Sequence, residues 1–103
     1  MAFTLNSFDS LISDLIITIQ DLLEENDGTE RSKIHYCDDD IPTNFLFKLP
    51  RMIIDILGNG AWALQCGSYI YIYYNNDEIK MEINNLDDEF YFKFIINKIE
   101  DDC

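Results

Sequence analysis

Two kinds of side chain in this sequence could carry chemistry. His35 stands close to Cys37 and Asp38, residue types that serve as general base, nucleophile and orienting acid, or as metal ligands. Neither arrangement is complete. His35 is the only histidine, and a working nucleophile needs a base within hydrogen-bond reach and a third group holding that base. Spacing gives no such assignment for Cys37 or Cys66. A structural zinc site needs paired ligands at both ends of a loop, and only one end is present. Asp38, Asp39 and Asp40 lack the alternate spacing and following glycine of a calcium loop. Gly58 and Gly60 have no following lysine with which to cradle phosphate. The acids stand in clusters expected to be solvated, not in an apolar pocket that would raise one carboxyl for acid catalysis. The expectation is therefore a protein without catalytic residues, metal or cofactor, and a small thiol or metal enzyme built on His35 and Cys37 is the weakest of three readings.

Acids and tyrosines remain. Twenty Asp and Glu face seven Lys and Arg in 103 residues, a formal net charge of −13, yet 48% of the chain is hydrophobic. A disordered acidic segment would lack that apolar content, so the chain folds against its own repulsion. Solubility alone asks for a net charge of about 2 to 8 in a small domain. The excess points to a surface for a basic protein partner. Phosphates and anionic headgroups would be repelled, so no direct contact with nucleic acid or membrane is expected. The candidate contact residues are Glu24, Glu25 and Asp27, the run Asp38, Asp39 and Asp40, and the strand face carrying Tyr69, Tyr71 and Tyr73 with Glu78 and Glu82. Tyrosine suits such a face because it offers large contact area at little entropic cost.

The elements that position these residues follow from periodicity. Phe8, Leu11, Ile12, Leu15, Ile16, Ile19, Leu22 and Leu23 recur at helical spacing, which predicts a helix from about Ser7 to Glu25, capped by Asn6 or Ser7. Asp14, Thr18, Asp21 and Glu25 form a stripe on its opposite side. Residues 29–41 read as a long loop in which Ser32 to Tyr36 could form a short edge strand, and Thr43 to Lys48 fits a helix start or a buried strand. Pro50 suits a first helical turn, and Leu49, Met52, Ile53, Ile56 and Leu57 then share one face of a short second helix ended by Gly58, Asn59 and Gly60.

From Ala61 to Asn84 the alternation predicts a three-stranded antiparallel meander. A two-residue turn at Asn75 and Asn76 sets Tyr73 against Glu78, Ile72 against Ile79, Tyr71 against Lys80, Ile70 against Met81 and Tyr69 against Glu82. Residues 86–100 fit both periods. Asp87, Asp88 and Glu89 favour a C-terminal helix, since acids in a first turn complement the helix dipole. The expected fold is thus α+β: an N-terminal helix, a short second helix, the meander and a C-terminal helix, in one globular domain over residues 1–103.

Three cysteines without a CxxC pair, no basic leader and apolar runs broken by Asp9 and Asp14 suggest a cytoplasmic protein with no membrane span. The clusters Glu24, Glu25, Asp27 and Asp38, Asp39, Asp40, with the strand Tyr-Ile-Tyr-Ile-Tyr-Tyr at 69–74, resemble in type the small acidic immunity proteins that neutralise bacterial nuclease toxins. That resemblance spans the chain loosely and has no diagnostic motif. It implies a toxin inhibitor, an antitoxin-like protein that covers the nucleic-acid groove of a basic nuclease domain. The alternative is a phage-encoded DNA mimic, an anti-CRISPR or anti-restriction inhibitor, using the same acids in place of a phosphate ladder.

Overall fold

A computed structural model describes residues 4–37, 41–58, 60–86 and 89–97. Helix α1 spans Leu5–Glu25. Its buried side chains are Phe8, Leu11, Ile12, Leu15, Ile16, Ile19 and Leu22, the predicted stripe. The cap lies earlier than expected: the Thr4 hydroxyl accepts from the Ser7 backbone N–H at 3.1 Å, which satisfies a first-turn donor and adds Leu5 and Asn6 to the helix.

Strand β1 (Arg31–Cys37) follows, then a single helical turn α2 (Thr43–Leu46) and helix α3 (Leu49–Leu57), with proline in its first turn. Leu49 and Ile53 are buried, whereas Ile56, expected on the same face, is half exposed. Strands β2 (Trp62–Cys66), β3 (Tyr69–Tyr74), β4 (Asp77–Leu86) and β5 (Glu89–Ile96) complete the chain. All neighbours are antiparallel, in the order β1-β5-β4-β3-β2.

Two expectations are corrected here. The sheet has five strands instead of three, and the predicted C-terminal helix is strand β5, paired on both sides. The reason lies in what each conformation buries. As a strand, the segment sends Phe90, Phe92, Phe94 and Ile96 to one face, all at or below 5% exposure. It also joins a ladder on each side, and tertiary pairing outweighs dipole complementarity worth about 0.3–1 kcal/mol. Asp87 and Asp88, the acids that favoured a helix, lie outside the described residues.

The hairpin register is as derived: Tyr73 faces Glu78, Ile72 faces Ile79, Tyr71 faces Lys80, Ile70 faces Met81 and Tyr69 faces Glu82. Asn75 takes the left-handed conformation the turn needs, φ 54°. Ile70, Ile72, Ile79, Met81, Phe92, Phe94 and Ile96 then form one core with the apolar sides of α1 and α3. Both helices cover this inner sheet face, so the molecule has two layers. No helix among the described residues is long and apolar enough to cross a membrane.

Candidate functional site

Strand alternation decides which face each candidate occupies. Ile70 and Ile72 enter the core, so Tyr69, Tyr71 and Tyr73 point to the outer face. Register carries the same face across the sheet: Trp62, Leu64 and Cys66 on β2, Glu78, Lys80 and Glu82 on β4, Tyr91, Lys93 and Ile95 on β5, Ile34 and Tyr36 on β1. Ring geometry agrees. Trp62 stacks on Tyr73 with centroids 4.1 Å apart, and Tyr36 meets Tyr91 at 5.5 Å.

The three tyrosines are not equally accessible. Tyr69 and Tyr73 are half-buried, but Tyr71 is only 5% exposed. Beside it Lys80, 8% exposed, lays its ammonium 4.0 Å from the Tyr69 ring centroid and 3.7 Å from a Glu82 carboxylate oxygen. Ile95 is buried next to Lys80. The middle of the outer face is therefore closed, and its accessible apolar surface lies on the flanks, at Ile34 and Tyr36 on one side and Trp62 and Leu64 on the other. Sequence reasoning missed Ile34, Tyr36, Trp62 and Leu64. Alternation within 62–66 could have found the last two, whereas the other two needed β1 to be paired.

The acids fall elsewhere. Glu24 and Glu25 end α1, which covers the opposite sheet face. Glu25 pairs with Lys33 at 3.2 Å. Asp27 is committed to its own turn. One carboxylate oxygen lies 3.0 Å from an Arg31 guanidinium nitrogen, and the other accepts from the Thr29 backbone N–H and hydroxyl. The Arg31 hydrogen bond, then those from Thr29, hold this carboxyl well below the ordinary carboxylate range. Asn26 fixes the same corner: it donates to Asp77 at 2.8 Å and accepts from Asn97 at 2.6 Å, tying the end of α1 to the start of β4 and the end of β5.

Asp38, Asp39 and Asp40 lie outside the described residues. The remaining exposed acids of α1 have no ion pair among the described residues. Asp14, Asp21 and Glu24 flank Ile17 along the helix at i−3, i+4 and i+7, and Ile17 is 55% exposed. Of the expected contact residues, Glu24 lies on the helix side near Ile17, whereas Tyr69, Tyr71, Tyr73, Glu78 and Glu82 lie on the opposite, outer face of the sheet beside Lys80 and Lys93.

No family model, curated protein or solved structure matches the chain.

The residues considered for catalysis are not assembled. His35 and Cys37 lie on the inner face of β1, opposite Phe92 and Phe90, and Cys37 packs half-buried against the core. Cys66 is on the far edge strand, four strands away, roughly 19 Å at the usual strand spacing. It is disulfide-bonded, so cysteine usage gives no argument for a reducing compartment. Among the described residues no three His, Cys, Asp or Glu side chains are grouped as metal ligands.

Proposed function

We propose that this protein is an inhibitor that binds a basic partner, an immunity protein that covers the nucleic-acid groove of a nuclease toxin. The observation that carries this reading is the solvent side of α1, where exposed Ile17 is flanked along the helix by Asp14, Asp21 and Glu24, none of which has an ion pair among the described residues. An apolar anchor beside a row of like charges suits a contact surface, with the anchor losing water on binding and the charges steering approach. A nuclease groove concentrates Lys and Arg to hold phosphates. Carboxylates laid over it take the place of those phosphates, and a net charge of −13 extends the attraction beyond contact distance.

The test is affinity capture from the native host with two baits, the wild-type chain and a variant combining Asp14→Asn, Asp21→Asn and Glu24→Gln. A basic nuclease retained by the first and lost from the second is the expected result. With that partner in hand, the variant should associate about tenfold or more slowly at low salt, and the gap should close as salt rises. Retention of the nuclease by both baits would move the contact off this helix. Capture of a large DNA-handling complex would instead support a nucleic-acid mimic.

A further inference from the structure

We propose that the edge strand β2 is where a second copy of this chain pairs, so that two sheets join edge to edge, antiparallel about a two-fold axis, into one continuous sheet. Three observations lead there.

The first is what the two edges carry. β1 and β2 end the strand order, and an unpaired edge presents backbone donors and acceptors that natural proteins blunt with charge, proline or a bulge. β1 is blunted by Arg31, Lys33 and His35. β2 is not. It reads Trp-Ala-Leu-Gln-Cys, no residue from 56 to 76 is charged, and its register with β3 runs unbroken from Trp62 to Cys66. Trp62 and Leu64 are 55% and 50% exposed, and Gln65 is exposed beside them.

The second is hydrogen-bond parity. Gly67 and Ser68 close the β2–β3 hairpin as a two-residue turn, with Gly67 at φ 63°. The closing pair of such a turn, here Cys66 and Tyr69, exchanges backbone bonds, and antiparallel alternation then commits Leu64 and Trp62 to β3. Ala63 and Gln65 therefore aim N–H and C=O away from the sheet. A two-fold axis at Ala63 joins that residue to its own duplicate and joins Gln65 to Ala61 of the other copy. There the Ala61 carbonyl accepts, its N–H being held by the Gly58 carbonyl. The same register sets Trp62 of each copy opposite Leu64 of the other, in non-hydrogen-bonded pairs where side chains come closest. Disulfide-bonded Cys66 lies beyond this ladder.

The third is charge, which selects the occupant. A basic partner gains nothing from an edge without carboxylates, whereas a chain at −13 meets its duplicate with least repulsion where neither copy is charged. α1 packs over β1 and β5, and α3 over β2 and β3. With β5 and β2 three strand spacings apart, the α1 helices of the pair stand roughly 30 Å from each other. That is more than three Debye lengths at physiological salt, about 8 Å each. A short ladder with two large side chains per copy buries less than the roughly 800 Å2 per partner of a standard interface, so association falls in the micromolar to millimolar range.

The inference is independent of the proposed inhibition and leaves the acidic side of α1 free for it. Sedimentation equilibrium of the native chain from about 10 μM to about 1 mM tests it, with emission from Trp62, the only tryptophan, followed across the same dilution series. A reversible shift to twice the chain mass, with emission moving to the blue as concentration rises, is expected. Gln65→Pro removes a donor that the fold leaves at the edge, a position where proline is tolerated, so it should keep the far-ultraviolet circular dichroism and weaken association about tenfold or more. If proline unfolds the strand, Leu64→Glu tests the same edge through an exposed side chain and should weaken association likewise. Ile34→Glu on β1 should leave it intact. A native chain that stays monomeric throughout, a dimer indifferent to the changes at Gln65 and Leu64, one lost on Ile34→Glu, or one that survives denaturation without reductant overturns the proposal.

Discussion

Tyr71 and Tyr36 show how much one position in a sheet changes what a tyrosine does. Both point to the outer face, but Tyr71 on β3 is 5% exposed beside Lys80, and Tyr36 on the edge strand β1 is 61% exposed. Truncating a buried aromatic typically costs about 3–5 kcal/mol, and an exposed one about 0.5 kcal/mol or less. Tyr71→Ala should therefore lower the melting temperature sharply, although the sequence alone suggests a contact residue whose loss spares folding. Tyr36→Ala should melt almost as the native chain does, and equal melting temperatures for the two would disprove the burial argument. The tyrosine face was legible in the sequence because alternation fixes direction. Accessibility was not: Tyr71 and Lys80 stand on the inner strands of the sheet, between β2 and β5, and both are buried. Asp27 offers a second check at this scale. Its carboxyl is lowered in the fold below its ordinary value near 3.8, so its contribution is fully present above that value and is lost as pH falls through the lower folded one. The stability difference between the native chain and Asp27→Asn should stay constant from neutral pH down to about 4, then shrink on further acidification. A difference that already shrinks between pH 7 and 5 would show that Arg31 and Thr29 do not hold this carboxyl.

At the scale of elements, local patterns located those whose period was unambiguous. Eight apolar residues at helical spacing defined α1, and one turn of two asparagines fixed the whole β3–β4 register. Asn75 carries that turn at φ 54°. Glycine should be tolerated there, whereas Asn75→Val should cost about 1–2 kcal/mol, the penalty for an ordinary residue in the left-handed region. Chemical denaturation of the two variants separates them, and equal stabilities would mean that the turn rearranges. β5 was misread for a reason intrinsic to its sequence. Phe90, Phe94 and Ile95 cluster on a helix as well as Phe90, Phe92 and Phe94 align on a strand, and what decides between them is β1, some sixty residues earlier. Residues 31–37 look weak alone, carrying Arg31, Lys33 and His35. They become a strand because β5 offers them a full antiparallel edge from Arg31↔Ile96 to Cys37↔Phe90. Phe92, fully buried at the centre of that pairing, should cost about 3–5 kcal/mol when replaced by alanine. If residues 89–96 contributed nothing to the sheet, the loss would be far smaller.

The candidate site was legible only in its parts. Composition announced the acids and the tyrosines, but whether they share a surface is a property of the whole molecule. Two layers place the helix acids and the sheet aromatics on opposite sides, while local pairing with Lys33 and Arg31 commits Glu25 and Asp27 to the fold. The same distribution predicts how stability responds to salt. Asp14, Asp21, Glu24, Glu30 and Asp55 are exposed and have no ion pair among the described residues, against three ion pairs that salt would weaken. Two of those three join partners that are partly exposed, and exposed pairs hold little net energy. Long-range repulsion at −13 therefore outweighs them. Raising monovalent salt from roughly 10 mM to several hundred millimolar shortens the screening length from about 30 Å to a few ångströms and should raise the melting temperature monotonically. A flat or falling curve would mean that the ion pairs prevail over the repulsion. The charge-neutralised variant Asp14→Asn, Asp21→Asn and Glu24→Gln separates these cases, since it should melt above the native chain at low salt and converge with it at high salt. Convergence would locate part of the destabilising charge on this helix side, so that the proposed binding surface is also where the fold gives up stability.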